Sequence, residues 1–262
     1  MSLTDVIELA AGNVRVHVLP QRGLDLGRTW FDDTEVAWIS PLGELPWQGD
    51  FARSFGGGLV VTCGLRNVGV PSEGQPQHGW YSSLPARDIE LEHDAVRGRM
   101  VEADVPGETL DLRREIRVDE GGISIRDRTV NPGRERVAAP LLYHVNLNWD
   151  AVEIDSAEVV PRDDDARAGD WRELGPPGPE RVYEHLGSTR AIVTHGLVRT
   201  TVTSSLPRLW QWIHPSYGVL AIEPSNCSVL GRQHDRAEGR LPVLEPKEER
   251  VTELRIDVEA HD

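Results

Sequence analysis

The chain has 262 residues, 39% hydrophobic and 27% charged, a globular balance suited to one large β-sandwich or barrel, so a single domain over 1–262 is expected. Lys and Arg number 28 against 43 Asp and Glu, and the resulting charge of −15 repels phosphate backbones and anionic lipid, which excludes nucleic acid and membrane surfaces as expected partners. No apolar run approaches the roughly 20 residues of a bilayer span, residues 1–15 lack a basic-then-apolar leader pattern, and a cytoplasmic protein is expected.

In chain order, the dominant hydrophobic period is two. Val14, Val16 and Val18 alternate with Arg15 and His17. Leu110, Leu112, Ile116 and Val118 share one parity, as do Ile123 and Ile125, and later Val251, Leu254, Ile256 and Val258 do so only approximately. Such alternation predicts strands with one face in a core. Gly12, Gly23, Gly98, Gly107, Gly121-Gly122 and Pro132-Gly133 punctuate the runs at hairpin spacing. No segment carries the i, i+3, i+4, i+7 pattern of a three-turn amphipathic helix. About a dozen strand candidates therefore predict an all-β fold, a large antiparallel β-sandwich. Two stretches, 41–58 and 161–180, read as long loops, the kind that form lids or rims of sites. Gly56-Gly57-Gly58 is followed by no helix or GK[ST] signature, so it is not a phosphate-binding loop.

Three segments carry candidate chemistry. The first holds Arg66, Asn67, Gln77 and His78. The second, LLYHVNLN, holds His144 and Asn146. The third, LAIEPSNC, holds Glu223. His144, Asn146 and Asn148 share a strand face with Leu142, too polar a set for a dry core and better suited to a polar pocket. Glu223 closes an apolar run, where partial desolvation favours a basic carboxylate. Trp accounts for 8 of the aromatics against 7 Tyr and Phe together, and Trp80, Trp149, Trp210 and Trp212 adjoin these segments. An indole offers a flat apolar face with a donor at its edge, which suits a sugar ring.

His78, His144 and Glu223 could instead form a two-His-one-carboxylate metal set, but no H-x-H or H-E-x-x-H spacing is present. No G-x-S-x-G serine-hydrolase signature occurs either. Cys63 and Cys227 cannot build a disulfide framework or a four-ligand zinc site alone and are expected to stay reduced. Lys247 is the one lysine, in a charged turn, and reads as a solvated surface residue rather than a Schiff base.

The order of motifs LRNVG…QHGW, TVNPGRERVAAP…LLYHVNLN, LAIEPSNC and LEPKEERVTELRI resembles the aldose 1-epimerases of the galactose mutarotase superfamily, over residues 56 to 258. The resemblance implies a galactose mutarotase-like supersandwich that binds a small sugar and interconverts its anomers by general acid–base catalysis, without cofactor or metal. It makes Glu223 the base. His144 is then the expected acid, with His78 as a second donor or ring-oxygen contact, and Arg66, Asn67, Asn146 and Gln211 on sugar hydroxyls. The family's strand places its His four residues before the Asn, where this chain has Leu142. His144 is two residues along and faces the same side. A non-catalytic carbohydrate-binding or sensing protein on the same scaffold, and a metal-dependent sugar isomerase, are the competing readings. The sequence leaves the sugar and the oligomeric state open.

Overall fold

The computed structural model describes residues 6–43, 50–103 and 108–261. Among them, two large antiparallel sheets stack face to face. The ten-stranded sheet runs Ile7–Ala11, Val14–Leu19, Asp25–Phe31, Val60–Gly64, Leu141–Leu147, Val219–Ser225, Arg208–His214, Arg181–Leu186 and Glu158–Pro161, with Thr34–Glu35 paired onto the third strand. The eight-stranded sheet runs Ala151–Glu153, Arg190–His195, Val198–Ser204, Glu249–Ala260, Gly122–Val130, Thr109–Asp119, Ala95–Ala103 and Arg87–Leu91. A two-stranded ribbon, Val137–Ala138 with Val243–Leu244, completes the described strands.

The alternation seen in the sequence decides what lies between the layers. Val14, Val16 and Val18 from one sheet and Leu110, Leu112, Ile116, Ile123, Ile125, Leu254 and Ile256 from the other join a single buried cluster. Each such fully buried side chain contributes roughly 1.5–3 kcal/mol relative to exposure. The two loops expected from the sequence are only partly loops. Phe51–Ser54 is a short helix capped by Asp50, and Asp164–Ala168 is another, capped by Asp163. Both caps place an acid before a short run, a signal the loop reading passed over. Residues 44–49 of the first stretch, and Gly107, lie outside the described residues. No helix among the described residues is long and apolar enough to cross a membrane.

One buried ionic network bolts the two sheets together behind the Leu141–Leu147 strand. Arg114 donates to both oxygens of Asp127 (2.9 and 2.7 Å), to Asp25 Oδ1 (3.2 Å) and to Thr62 Oγ1 (3.0 Å). Tyr143 Oη donates to Asp127 Oδ2 at 2.8 Å. Burial pushes the Asp25 carboxyl up to about 6 against the lowering pull of the Arg114 charge.

Candidate functional site

Four adjacent strands of the large sheet, Val60–Gly64, Leu141–Leu147, Val219–Ser225 and Arg208–His214, divide their side chains by parity. Tyr143, Val145, Leu147, Leu220, Ile222, Leu209 and Ile213 face the inter-sheet core. Val61, Cys63, Leu142 and Trp210 face the opposite way, into a second buried cluster with Phe51, Val68 and Cys227. His144 and Glu223 have the parity of this second face, and they are the polar groups at its centre. The registers Leu142 with Ser225 and Val145 with Ile222 set His144 directly across from Glu223. On the far side Glu223 pairs with Trp210.

The second face opens into a cavity of about 760 Å³, a volume in the range of small-molecule sites. His78, His144 and Glu223 all line it, although 145 positions separate the outermost two. His144 and Glu223 are each 3% exposed, and His144 Nε2 lies 2.9 Å from Glu223 Oε1. The other ring nitrogen, Nδ1, lies 2.6 Å from Asn146 Oδ1. Aromatic rings frame the pair. Phe55 and Trp212 approach His144 with centroids 5.2 and 5.3 Å away, and Phe51 lies 4.4 Å from His78. Trp38 stacks on Phe55 at 6.0 Å. Flat apolar faces around two proton-transfer groups suit the C–H face of a sugar ring.

His78 reaches the cavity from a loop rather than a strand, in the left-handed region at φ +58. Few non-glycine residues adopt that conformation, and it is held by neighbours. The His78 N–H donates to Gly69 O at 3.0 Å, and its carbonyl accepts from the Gly64 N–H at 2.9 Å. Nδ1 accepts from the Gly69 N–H at 3.4 Å, which leaves the proton of the neutral ring on Nε2. Desolvation, aided by repulsion from a charged His144, pushes His78 down to about 3. Near neutral pH His78 therefore offers an Nε2–H donor from a neutral ring, which fits the ring-oxygen contact expected of it.

Arg66, Asn67, Asn146 and Gln211 do not line the cavity, and each is engaged elsewhere. Arg66 is buried against Glu102 and Glu108, with Nη2 donating to Glu108 O at 2.6 Å. Asn67 donates to Val70 O and Pro76 O at 2.9 Å each and accepts from the Arg232 N–H, so it ties a loop together. Gln211 has the parity of Leu209 and Ile213. It points between the sheets, where Oε1 bonds His185 Nε2 at 2.9 Å and Nε2 donates to Trp171 O at 2.8 Å. Asn146 shares the His144 face but lies behind the ring, bonded to it. Asn148 donates to Glu35 O and Ala37 O.

Of the tryptophans noted in the sequence, Trp212 lines the cavity, and its Nε1–H donates to Glu180 Oε2 at 2.8 Å. Glu180 also accepts from Arg162 Nη2 at 3.2 Å, so both ends of the 161–180 stretch reach the rim. Trp210 is buried in the second cluster, Trp149 packs on the core and Trp80 is at the surface. Phe51, Phe55, Trp38, His214 and Tyr217 also line the cavity. Phe51 and Phe55 come from the 41–58 stretch expected as a rim, and His214 shares the parity of Trp212 two residues before it, whereas Trp38 and Tyr217 carried no local signal. Among the described residues no three His, Cys, Asp or Glu side chains come together as a metal-ligand set, His78, His144 and Glu223 included. Cys63 and Cys227 are buried free thiols.

Solved structures share this architecture. A "putative aldose 1-epimerase" from Klebsiella pneumoniae superposes with a TM-score of 0.80 at 19% identity, over 95% of this chain and 77% of that one. The Slr1438 protein of Synechocystis gives 0.77 at 15% identity, over 98% and 96% of the two chains. A galactose mutarotase-like protein from Lactobacillus casei gives 0.67 at 13% identity, over 97% and 100%. These likenesses establish the fold as a galactose mutarotase-like β-sandwich. No curated protein matches the sequence. A family model matches residues 3–258, and the chain belongs to that family, described as Domain of unknown function (DUF4432).

Proposed function

We propose that this protein is an aldose 1-epimerase-like enzyme that binds a small sugar and interconverts its anomers. The observation that carries the reading is the His144–Glu223 pair, 2.9 Å apart and buried at the floor of an aromatic-lined cavity. Anomer exchange needs one proton taken from the anomeric hydroxyl and one given to the ring oxygen. Glu223 as carboxylate is the base, and His144 as imidazolium is the acid. Ring opening leaves a neutral carboxylic acid and a neutral imidazole, so the proton count closes. Rotation of the aldehyde carbon and the reverse transfers complete the exchange. Substrate entry replaces the direct contact with contacts through the anomeric centre.

His78 supplies a fixed N–H donor to a sugar oxygen, and Phe55 and Trp212, set edge to face at 85°, offer apolar surface to the C–H groups of the ring. The names of the Klebsiella and Lactobacillus proteins point the same way. Saturation-transfer NMR across a panel of aldoses, against the spontaneous rate in the same buffer, tests the reading. Acceleration that disappears in Glu223→Gln supports it. Binding without acceleration for any sugar instead identifies a carbohydrate-binding protein.

A further inference from the structure

We propose that Asn146 is a positioning residue that keeps hydrogen on His144 Nδ1 and so confines the mobile proton to Nε2. The catalytic consequence rests on the epimerase reading, whereas the hydrogen placement is a property of the folded chain alone. Asn146 is fully buried. Its Nδ2 lies 2.8 Å from Gly58 O and 3.1 Å from His144 O. Both partners are carbonyls, which only accept, so the amide nitrogen must face them. The amide oxygen then faces His144, 2.6 Å from Nδ1. An amide oxygen cannot donate, so Nδ1 carries the hydrogen.

The backbone leaves Asn146 little freedom to turn over. Its N–H donates to Leu59 O at 2.9 Å, and its carbonyl accepts from the Trp38 N–H at 3.1 Å. The Gly58 carbonyl is itself set by a backbone at φ +110, where a Cβ would come within 2.7 Å of Leu26 O. Glycine is the residue that fits there. With Nδ1 so occupied, the one proton site left to vary is Nε2, which faces Glu223 Oε1. The pair therefore shares a single proton. It sits on Nε2 when Glu223 is a carboxylate and returns to Nε2 after passing through the substrate. No step requires the ring to flip or change tautomer.

The test is the ring nitrogens of His144 followed by 15N NMR from pH 5 to 9. In the wild type, the Nδ1 shift should stay that of a protonated nitrogen, and any change should appear at Nε2. In Asn146→Ala, Nδ1 should lose that signature, and kcat for anomer exchange should fall about ten-fold with KM within about two-fold. Asn146→Asp keeps an acceptor on Nδ1 but sets a second acceptor against the Gly58 and His144 carbonyls, so it should retain the Nδ1 signature while losing stability. A purely structural role predicts that Asp loses the Nδ1 signature as Ala does. Should Asn146→Ala not fold, Asn146→Ser takes its place, and the wild-type measurement decides by itself. A wild-type Nδ1 that is unprotonated, or that titrates, overturns the proposal. A chain that shows the predicted Nδ1 but accelerates no sugar's exchange contradicts the epimerase reading alone.

Discussion

His144 and Glu223 stand directly across from each other on adjacent antiparallel strands, with Nε2 and Oε1 2.9 Å apart. Their neighbours one position along, Tyr143 and Ile222, face the opposite side, into the core between the sheets. The same strands thus build the core with one parity and the cavity floor with the other. A one-residue slip in either strand would exchange the two faces. The register of this sheet therefore fixes the His144–Glu223 pair.

His78 and His185 should stay neutral across the physiological range. Burial holds His78 at about 3 and His185 at about 4, the latter against the raising effect of its Gln211 hydrogen bond. Two-dimensional NMR of the ring Cε1–H signals should show neither titrating between pH 5 and 8. Both pKa values lie below the ordinary value near 6.5, so the unfolded chain binds these protons first. Their stabilising contribution is complete above about pH 6.5 and is lost as pH falls toward 4 and 3. Wild type should accordingly lose more stability between pH 7 and 5 than His185→Gln does. Equal losses would assign the acid sensitivity to other groups.

Arg114→Leu should be severely destabilising. It leaves Asp127 and Asp25 buried without their cation, and breaking a buried pair from one side costs about 3–5 kcal/mol. Urea denaturation measures this directly. A loss under about 1 kcal/mol would mean that the carboxylates are protonated or reach water without the arginine.

Gln211 and Trp212 are neighbours with opposite duties. Gln211→Leu should cost about 1–3 kcal/mol of stability, because it leaves the buried His185 Nε2 without its partner. It should leave sugar affinity within about two-fold. Trp212→Ala should weaken sugar binding about ten-fold, since it removes a ring that lies 5.3 Å from His144. Titration calorimetry and thermal melts on both variants separate the two effects. Weakened sugar binding in Gln211→Leu would place that side chain at the sugar after all.

The strand parity that builds the fold was legible because it is local: Val14, Val16 and Val18 state their face without any partner. The pairing of His144 with Glu223 was partly legible, since each sits at a polar position in an apolar strand. The duties of Asn67 and Gln211 were not. Asn67 ties its own loop to Arg232, 165 positions away, and Gln211 meets His185 on a neighbouring strand. Such partners come from loop packing and strand register, which the sequence does not print. Parity would have helped with Gln211, because the core residues Leu209 and Ile213 flank it at two positions on either side. Phe51 and Phe55 were legible only as part of the 41–58 rim stretch, which has no periodicity to say which of its side chains turn into the cavity.

Glu223 in the proposed role of general base should be indispensable to anomer exchange, and Glu223→Gln removes that role alone. Gln keeps the size of the side chain and can still bond His144, but it cannot take the anomeric proton. Loss of a positioned base typically costs on the order of 10²–10⁴ in rate, roughly 3–5 kcal/mol of barrier. Saturation-transfer NMR should find exchange well above the spontaneous rate in wild type and a collapse of that size in Glu223→Gln, with sugar affinity changed about ten-fold or less. Equal acceleration by wild type and Glu223→Gln, or no acceleration by wild type of any sugar it binds, would contradict that role.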